Sequence, residues 1–200
     1  MYEYDKTMTY VILLYNYRMK TYLKRMKSTH KRPARESYRK IAWSWVGSFI
    51  GILLVSTYND TFGIFGVDGI FLVGSFGASA VLIFGSPMAD YSQPRNLVFG
   101  HVISAMVGVC AYWVLPDLPN VAGALAVSFA LVIMHLTSTM HPPGGGNALL
   151  AVIGSQQIHN LGLWYVLTPI LSGVIILLVV ALVVNNLSSD PNRHYPKFWW

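Results

Sequence analysis

The segment with the clearest chemical potential in this 200-residue chain is His141–Asn147, a histidine followed by two prolines, three glycines and an asparagine. The prolines oppose a helix and bias the residue before them away from the helical region. The glycines let a ligand or another backbone approach closely, and Asn147 is predicted to cap a short helix. The pattern favours a backbone element that lines a pore or binds a substrate; a rigid turn is the alternative.

Two further histidines, His101 and His135, lie in apolar runs. His135 and His141 are six positions apart, which does not place them on one face of a helix. A metal site made of all three histidines would have no cysteine or carboxylate nearby as a further ligand. We therefore expect no cofactor and interpret His135 as a hydrogen-bonded core residue. A neutral imidazole gains a charge on acidification, so His101 or His141 could couple an anion to a proton.

Acidic residues are absent from the apolar runs, and Asp60, Asp68, Asp90 and Asp117 are all predicted in loops. Because ionisable groups inside a membrane mark ion pathways, their absence disfavours a cation site or a carboxylate proton relay. Histidine, hydroxyl, amide and glycine groups remain, and these suit an anion or a neutral solute better. Arg95 either anchors the inner membrane face or attracts an anion to the mouth of a pathway.

Composition places these residues in a membrane protein. The apolar residues make up 54% of the chain and the charged ones 11%, with a mean hydropathy of +0.48, whereas a soluble domain is about 25% charged. Eleven of the 14 Lys and Arg residues lie within positions 1–40. A nucleic-acid groove would spread them over the folded body, so we expect a cytoplasmic basic tail and no nucleic-acid partner.

The apolar runs predict an all-α transmembrane bundle. Four runs are long enough to span a bilayer, which takes about 20 residues, and two are less regular: Gly69–Ala89 is rich in glycine, and in Pro142–Ser155 only nine residues can be helical. Six crossings keep every lysine and arginine on one side. The regular spans are predicted at Ile41–Tyr58, Asn96–Leu115, Val121–Thr139 and Leu161–Asn185.

An internal repeat relates the two irregular segments. Gly77–Leu82 resembles Gly145–Leu150, and Gln93–Leu97 resembles Gln157–Leu161, in the same order. With three crossings per half the repeats are inverted, each with one broken or half helix, as in many transporters. The N-termini of the two short helices would then converge near the midplane and offer unpaired N–H groups to an anion.

Three regions follow along the chain: a basic tail at 1–40, a transmembrane domain at 41–187 and a C-terminal tail at 188–200. Within the tail, the stretch at 10–20 is either an amphipathic helix on the inner membrane surface or partly disordered. The sequence contains no Walker-type glycine loop and no metalloprotease histidine motif, so we expect a protein that is not an enzyme.

Two stretches resemble the HPP family of integral membrane proteins. One runs from Phe76 through Ser86-Pro87 to His101, and the other is Met140–Leu150, which contains the name-giving His-Pro-Pro at His141–Pro143. The resemblance covers roughly residues 35–200. Members of the family are usually described with four spanning helices, and some plastid and cyanobacterial members are associated with nitrite transport. The resemblance therefore implies nitrite as a candidate substrate.

We therefore expect a transporter or channel for a small inorganic anion, with nitrite as the candidate, in a bacterial inner membrane with a cytoplasmic N-terminus. The alternatives are a non-transporting sensor or assembly protein and, third, a membrane-embedded histidine metal site. Gly47-x-x-x-Gly51 would permit close helix packing, so a homo-oligomer is a further expectation. The predicted binding residues are Gly77, Ala78, Ser79, Arg95, Asn96, His101, His141, Pro142, Pro143, Gly144, Gly145, Gly146 and Asn147.

Overall fold

The protein is a helical bundle, seen in a computed structural model that describes residues 6–61, 63, 66–190 and 193–200. A 3-10 turn at Asp90–Ser92 precedes α4, and a π-helical turn at Val166–Leu171 leads into α8. The helices are α1 (Lys6–Arg25), α2 (Tyr38–Thr61), α3 (Gly66–Gly85), α4 (Pro94–Val114), α5 (Pro119–Leu136), α6 (Gly144–Ile153), α7 (Gln156–Leu161) and α8 (Ser172–Leu187).

The all-α transmembrane architecture is confirmed. Five helical segments in the described ranges are long and apolar enough to cross a membrane. Three of them are α2, α4 and α5, which match the predicted spans within a few residues. The span predicted at Leu161–Asn185 is observed as Val166–Leu187. It is kinked at Thr168, whose backbone is extended just before Pro169, because proline cannot donate the helical hydrogen bond.

The fifth spanning segment corrects the prediction for the first half of the chain. The glycine-rich region was expected to contain a broken helix, but α3 is continuous over 20 residues. Each glycine weakens a helix by only about 1 kcal/mol, whereas lipid offers no partner for an open backbone amide. A continuous helix therefore costs less than a break. Nothing lies within 4 Å of a Cβ added at Gly74, Gly77 or Gly85.

The discontinuous segment of the second half is confirmed. After α5 ends at Leu136, residues 137–143 are not helical, and α6 then runs for only ten residues, about 15 Å. The predicted cap is wrong, since α6 begins at Gly144 and Asn147 lies inside it. The cause is local: the N–H groups of the three glycines donate to the carbonyls of His141, Pro142 and Pro143, which extends the helix backwards.

Hydrogen bonds between distant residues define the two ends of the bundle. At one end, which we call the basic end, Asn185 of α8 donates to the carbonyl of Ile83, and Arg95 of α4 donates to the carbonyl of Thr137 after α5. At the opposite end, Ser155 after α6 donates to the carboxylate of Asp68 in α3. The segment 137–153 therefore runs from one end to the other, so the described residues pass through the bundle six times, five of them as the candidate spanning helices. The inverted repeat stays a prediction.

Arg193 closes the basic end by binding three groups there. Its side chain is buried, and it donates to the carbonyls of Phe84 and Lys40 and to the hydroxyl of Ser44. The last carbonyls of a helix have no partner within it, so the guanidinium supplies donors at the end of α3. Two residues on, burial raises the pKa of the Tyr195 phenol, which donates to the carbonyl of Ser92.

Residues up to Glu36 form a unit separate from the bundle. Within this unit α1 is a 20-residue helix with Lys24 and Arg25 in its last turn, where cations complement the helix dipole. The stretch predicted as either an amphipathic helix or a partly disordered tail is thus helical.

Small residues let α6 pack closely against α4. A Cβ added to Gly108 would lie 2.8 Å from the Cα of Ala148 and 2.8 Å from the Cβ of Ala151. In a membrane such close approach is the main source of helix–helix attraction, because lipid tails remove the hydrophobic driving force. The glycine at 108 therefore sets the position of α6.

We expect Gly108→Ala to destabilise the bundle by about 1–3 kcal/mol, the usual effect of overpacking. The measurement is thermal unfolding of the purified protein in detergent. The matched control is Gly74→Ala, which places the same methyl group on α3 with no atom within 4 Å. Equal melting temperatures for the two variants would contradict the packing described for α4 and α6.

Candidate functional site

Four polar side chains meet inside the bundle, and we call them the central cluster: Ser79 from α3, His101 from α4, His141 from the loop before α6, and Asn147 from α6. All four are fully buried. His101 is the eighth residue of α4 and Ser79 lies six residues before the end of α3. At 1.5 Å per residue both are about 10 Å from the basic end.

The hydroxyl of Ser79 joins the two imidazoles. Its Oγ lies 2.7 Å from Nε2 of His101 and 2.9 Å from Nε2 of His141. The two rings are tilted, with their centroids 4.8 Å apart. A hydroxyl carries one proton and two lone pairs, so it can donate to one imidazole while it accepts from the other.

The outer nitrogens of the two rings fix which imidazole donates. Nδ1 of His141 lies 2.7 Å from the carbonyl oxygen of Tyr91, which only accepts, so this nitrogen carries a proton. Nδ1 of His101 lies 2.5 Å from the amide nitrogen of Asn147, which only donates, so this nitrogen carries none. With both rings neutral, His101 donates from Nε2 to Ser79, and Ser79 donates to Nε2 of His141. Every hydrogen bond in this chain of groups then has one proton.

One atom of the central cluster has no partner. The side-chain oxygen of Asn147 is buried without a hydrogen bond, whereas its backbone carbonyl accepts from the hydroxyl of Tyr165 at 3.0 Å. Leaving a buried acceptor unsatisfied costs about 1–3 kcal/mol. Such groups are uncommon in folded proteins, and each needs a physical explanation such as a functional role or a bound molecule.

The surrounding elements hold the central cluster in place. Ser75, one turn before Ser79 in α3, donates to the carbonyl of Pro143 at 2.8 Å, which ties α3 to the start of α6. Gly144 packs so tightly on α4 that a Cβ there would lie 2.6 Å from the carbonyl oxygen of Gly100. Phe76 lies against His101 with the ring centroids 5.6 Å apart. These contacts leave the two imidazoles little freedom to turn.

A pocket of about 370 Å³ opens at the basic end, next to the central cluster. Arg95 and His135 lie on its wall, together with Asn96, whose side chain donates to the carbonyl of Met140. Tyr91, whose carbonyl accepts from His141, also lines it. The remaining lining residues are Asp90, Met134, Ser138, Met140 and Phe198.

Eight of the thirteen predicted binding residues fall into three groups. Ser79, His101, His141 and Asn147 form the central cluster; Arg95 and Asn96 line the pocket, and Pro143 and Gly144 support the start of α6. Gly145 is partly buried, and an added Cβ there would touch Val127. Three predicted residues are exposed instead: Ala78, Pro142 and Gly146. Gly77 has no neighbour within 4 Å of an added Cβ, so it takes no part in packing.

The predicted convergence of two helix N-termini is wrong. α3 begins at the opposite end of the bundle, where Asp68 accepts from the backbone of Ser155, while α6 begins beside Gly100. The first N–H groups of α6 are also occupied by the carbonyls of residues 141–143. Asp68, predicted in a loop, is buried in the first turn of α3, and Asp60 belongs to α2.

Several residues of the site carried no signal in the sequence. Tyr91 acts through its backbone carbonyl, Ser75 contacts a carbonyl 68 residues away, and Tyr165 approaches Asn147 from the π-helical side. The interpretation of His135 as a core residue is wrong, since it is exposed at the end of α5. Among the residues that the structure describes, no three His, Cys, Asp or Glu side chains are grouped to hold a metal ion.

Residues 33–196 match the sequence profile of the family described as HPP, transmembrane region. Two curated relatives, both described as transmembrane proteins of Dictyostelium discoideum, are 45% and 42% identical over 182 and 174 residues. The matches cover 90% and 85% of this chain but only 57% and 59% of those proteins. No solved structure matches the chain. An integral membrane protein is thus supported, whereas the bacterial membrane and the orientation stay predictions.

The bonding of the central cluster predicts opposite tautomers for its two histidines. His101 should carry its proton on Nε2 and His141 on Nδ1, because the amide nitrogen of Asn147 and the carbonyl of Tyr91 dictate these positions. The measurement is ¹⁵N nuclear magnetic resonance of histidine-labelled protein at neutral pH, with His101→Gln and His141→Gln used to assign the signals. The same tautomer at both positions would contradict the hydrogen-bond chain.

Proposed function

The chain belongs to the family of the HPP transmembrane region, and we propose that it carries a small inorganic anion such as nitrite across the membrane. The observation on which this proposal chiefly rests is the central cluster, a set of polar side chains buried at membrane depth with an unpartnered acceptor. Polar groups inside a membrane are expensive and generally functional. The nitrite candidate comes from the family resemblance.

The pocket at the basic end supports an anion as the solute. Arg95 donates from one guanidinium nitrogen to the carbonyl of Thr137 at 2.7 Å, which holds the charge at the pocket wall. The guanidinium carries five N–H donors in all, and its charge raises the local concentration of anions. The pocket is lined by Tyr91, whose carbonyl accepts from His141, and by Met140, which precedes His141 and accepts from Asn96. An anion drawn into the pocket therefore arrives beside the central cluster.

Burial of the central cluster favours a carrier over an open channel. Each of its four side chains has no exposed surface, so a solute bound there is closed off from both ends in this conformation. Carriers pass through such occluded states, and many of them bind the solute at broken helices. The broken segment 137–153 contributes His141 and Asn147, so its movement would open the site.

Uptake of nitrite into proteoliposomes tests the proposal. We expect saturable uptake that is lost in His141→Ala, because this change removes one end of the central cluster, and that is retained in His30→Ala, which makes the same substitution at an exposed position of the tail. Chloride and nitrate serve as competitors. If the folded wild-type protein moves no more nitrite than empty liposomes do, the nitrite proposal is contradicted. A sensor or assembly role is then favoured.

Arg95→Gln should weaken anion capture without stopping transport. We expect the apparent KM to rise roughly fivefold, equivalent to about 1 kcal/mol, with little change in the maximal rate, because Arg95 acts at the pocket and not in the central cluster. The control is Arg18→Gln, which removes one positive charge from exposed α1. Equal KM values in the two variants would show that Arg95 only anchors the membrane face.

A further inference from the structure

We propose that His101 takes up one proton and Asn147 binds the anion in the same step, so that one proton accompanies each anion. This inference rests on the proposed function and names the chemistry of its site. The substrate class is then a monovalent anion that enters together with a proton. The side-chain oxygen of Asn147 has no partner, and the nitrogen of the same amide faces the lone pair on Nδ1 of His101.

In the neutral state the amide of Asn147 is oriented by His101. Its nitrogen donates to the lone pair on Nδ1 of His101, and its oxygen is left buried without a donor. This oxygen would repel an anion. The neutral central cluster is therefore closed to the proposed substrate, although its other hydrogen bonds are all made.

One added proton reverses this arrangement. If the proton bonds to Nδ1 of His101, that nitrogen becomes a donor and the amide of Asn147 turns by half a rotation, so that its oxygen accepts from Nδ1. The unpartnered acceptor is then satisfied, and the two N–H groups of the amide become available. The hydrogen bonds that run from Nε2 of His101 through Ser79 to His141 do not change. The proton comes from water on the side where the anion enters.

His141 is a poorer acceptor for the added proton. Its Nδ1 already donates to Tyr91, and its Nε2 accepts the hydroxyl proton of Ser79. Protonating Nε2 would force this hydroxyl to turn towards the carbonyl of Ser75, which lies at a longer distance of 3.3 Å. Protonation of His141 would also leave the side-chain oxygen of Asn147 without a partner. Protonating His101 exchanges one hydrogen bond with Asn147 for another and gives the buried oxygen a partner, whereas protonating His141 leaves that oxygen unpaired and turns Ser79 towards a longer bond.

Charge balance requires the two ions to enter together. The titratable side chains that contact the central cluster from the described elements are its own two histidines and the phenol of Tyr165, which donates to the backbone carbonyl of Asn147. Arg95 and Asp90 lie farther out, on the pocket wall. A lone imidazolium or a lone anion would be costly at this depth, but the pair is neutral. Transport should therefore move no net charge.

The first experiment measures proton and anion movements in wild-type proteoliposomes that contain a pH-sensitive dye. We expect one proton taken up per nitrite and an uptake rate that does not change when valinomycin and a potassium gradient impose a membrane potential. Uptake into empty liposomes at the same pH measures the background that comes from diffusion of nitrous acid through the lipid. Saturable uptake that is driven by the potential without protons would overturn this inference and leave the proposed function standing. No saturable uptake at all would overturn both.

The second experiment uses Asn147→Asp, in which a fixed carboxylate takes the place of the amide and of the anion. We expect ¹⁵N resonance to show His101 doubly protonated at neutral pH without any added anion, and nitrite uptake to be lost. Asn160→Asp, an exposed change in α7, should leave both properties as in the wild type. His101 remaining neutral in Asn147→Asp would count against the proposed proton site. If this variant does not fold, the wild-type proton-to-nitrite ratio decides the question.

Discussion

The structure depends on a single hydroxyl shared by two buried imidazoles. Ser79 can satisfy both His101 and His141 only if the three groups meet within hydrogen-bond distance, and this requires α3, α4 and the loop before α6 to come together about 10 Å inside the bundle. Because these side chains are fully buried, separating them would leave polar atoms unpaired at a high cost. The close packing at the glycines around α6 keeps these three groups within hydrogen-bond distance.

Close packing and polar bonding support each other along α6. Gly100 and Gly108 of α4 allow α6 to approach within van der Waals contact, and Ser75 of α3 binds the carbonyl of Pro143 at its start. At its far end, the backbone of Ser155 is bound by Asp68. A helix of only ten residues cannot span the bilayer, and these contacts at both ends hold it at a defined depth. The segment that carries two members of the central cluster is thus held at both of its ends.

Polar groups at the two ends of the bundle have different partners. At the basic end, Arg193 caps carbonyls of α2 and α3, and Arg95 faces a pocket beside the central cluster. At the other end the buried charge is the carboxylate of Asp68. For the proposed anion, this asymmetry would favour approach from the basic end, and the neutral hydrogen-bonded groups in between hold no fixed charge that would trap it.

The sequence by itself determined the membrane class, the spanning helices and the discontinuous segment, because these follow from the lengths of apolar runs and from prolines that cannot continue a helix. It also identified Ser79, His101, His141 and Asn147, although within a longer set that included the exposed Ala78 and Pro142. Only the tertiary structure decided that α3 is continuous, that α6 starts at Gly144 and that the helix N-termini do not converge. It alone joined Ser79 to both imidazoles and left the oxygen of Asn147 without a partner. Such contacts link residues 22 to 68 positions apart, and no local pattern in a single sequence encodes a distance of that kind.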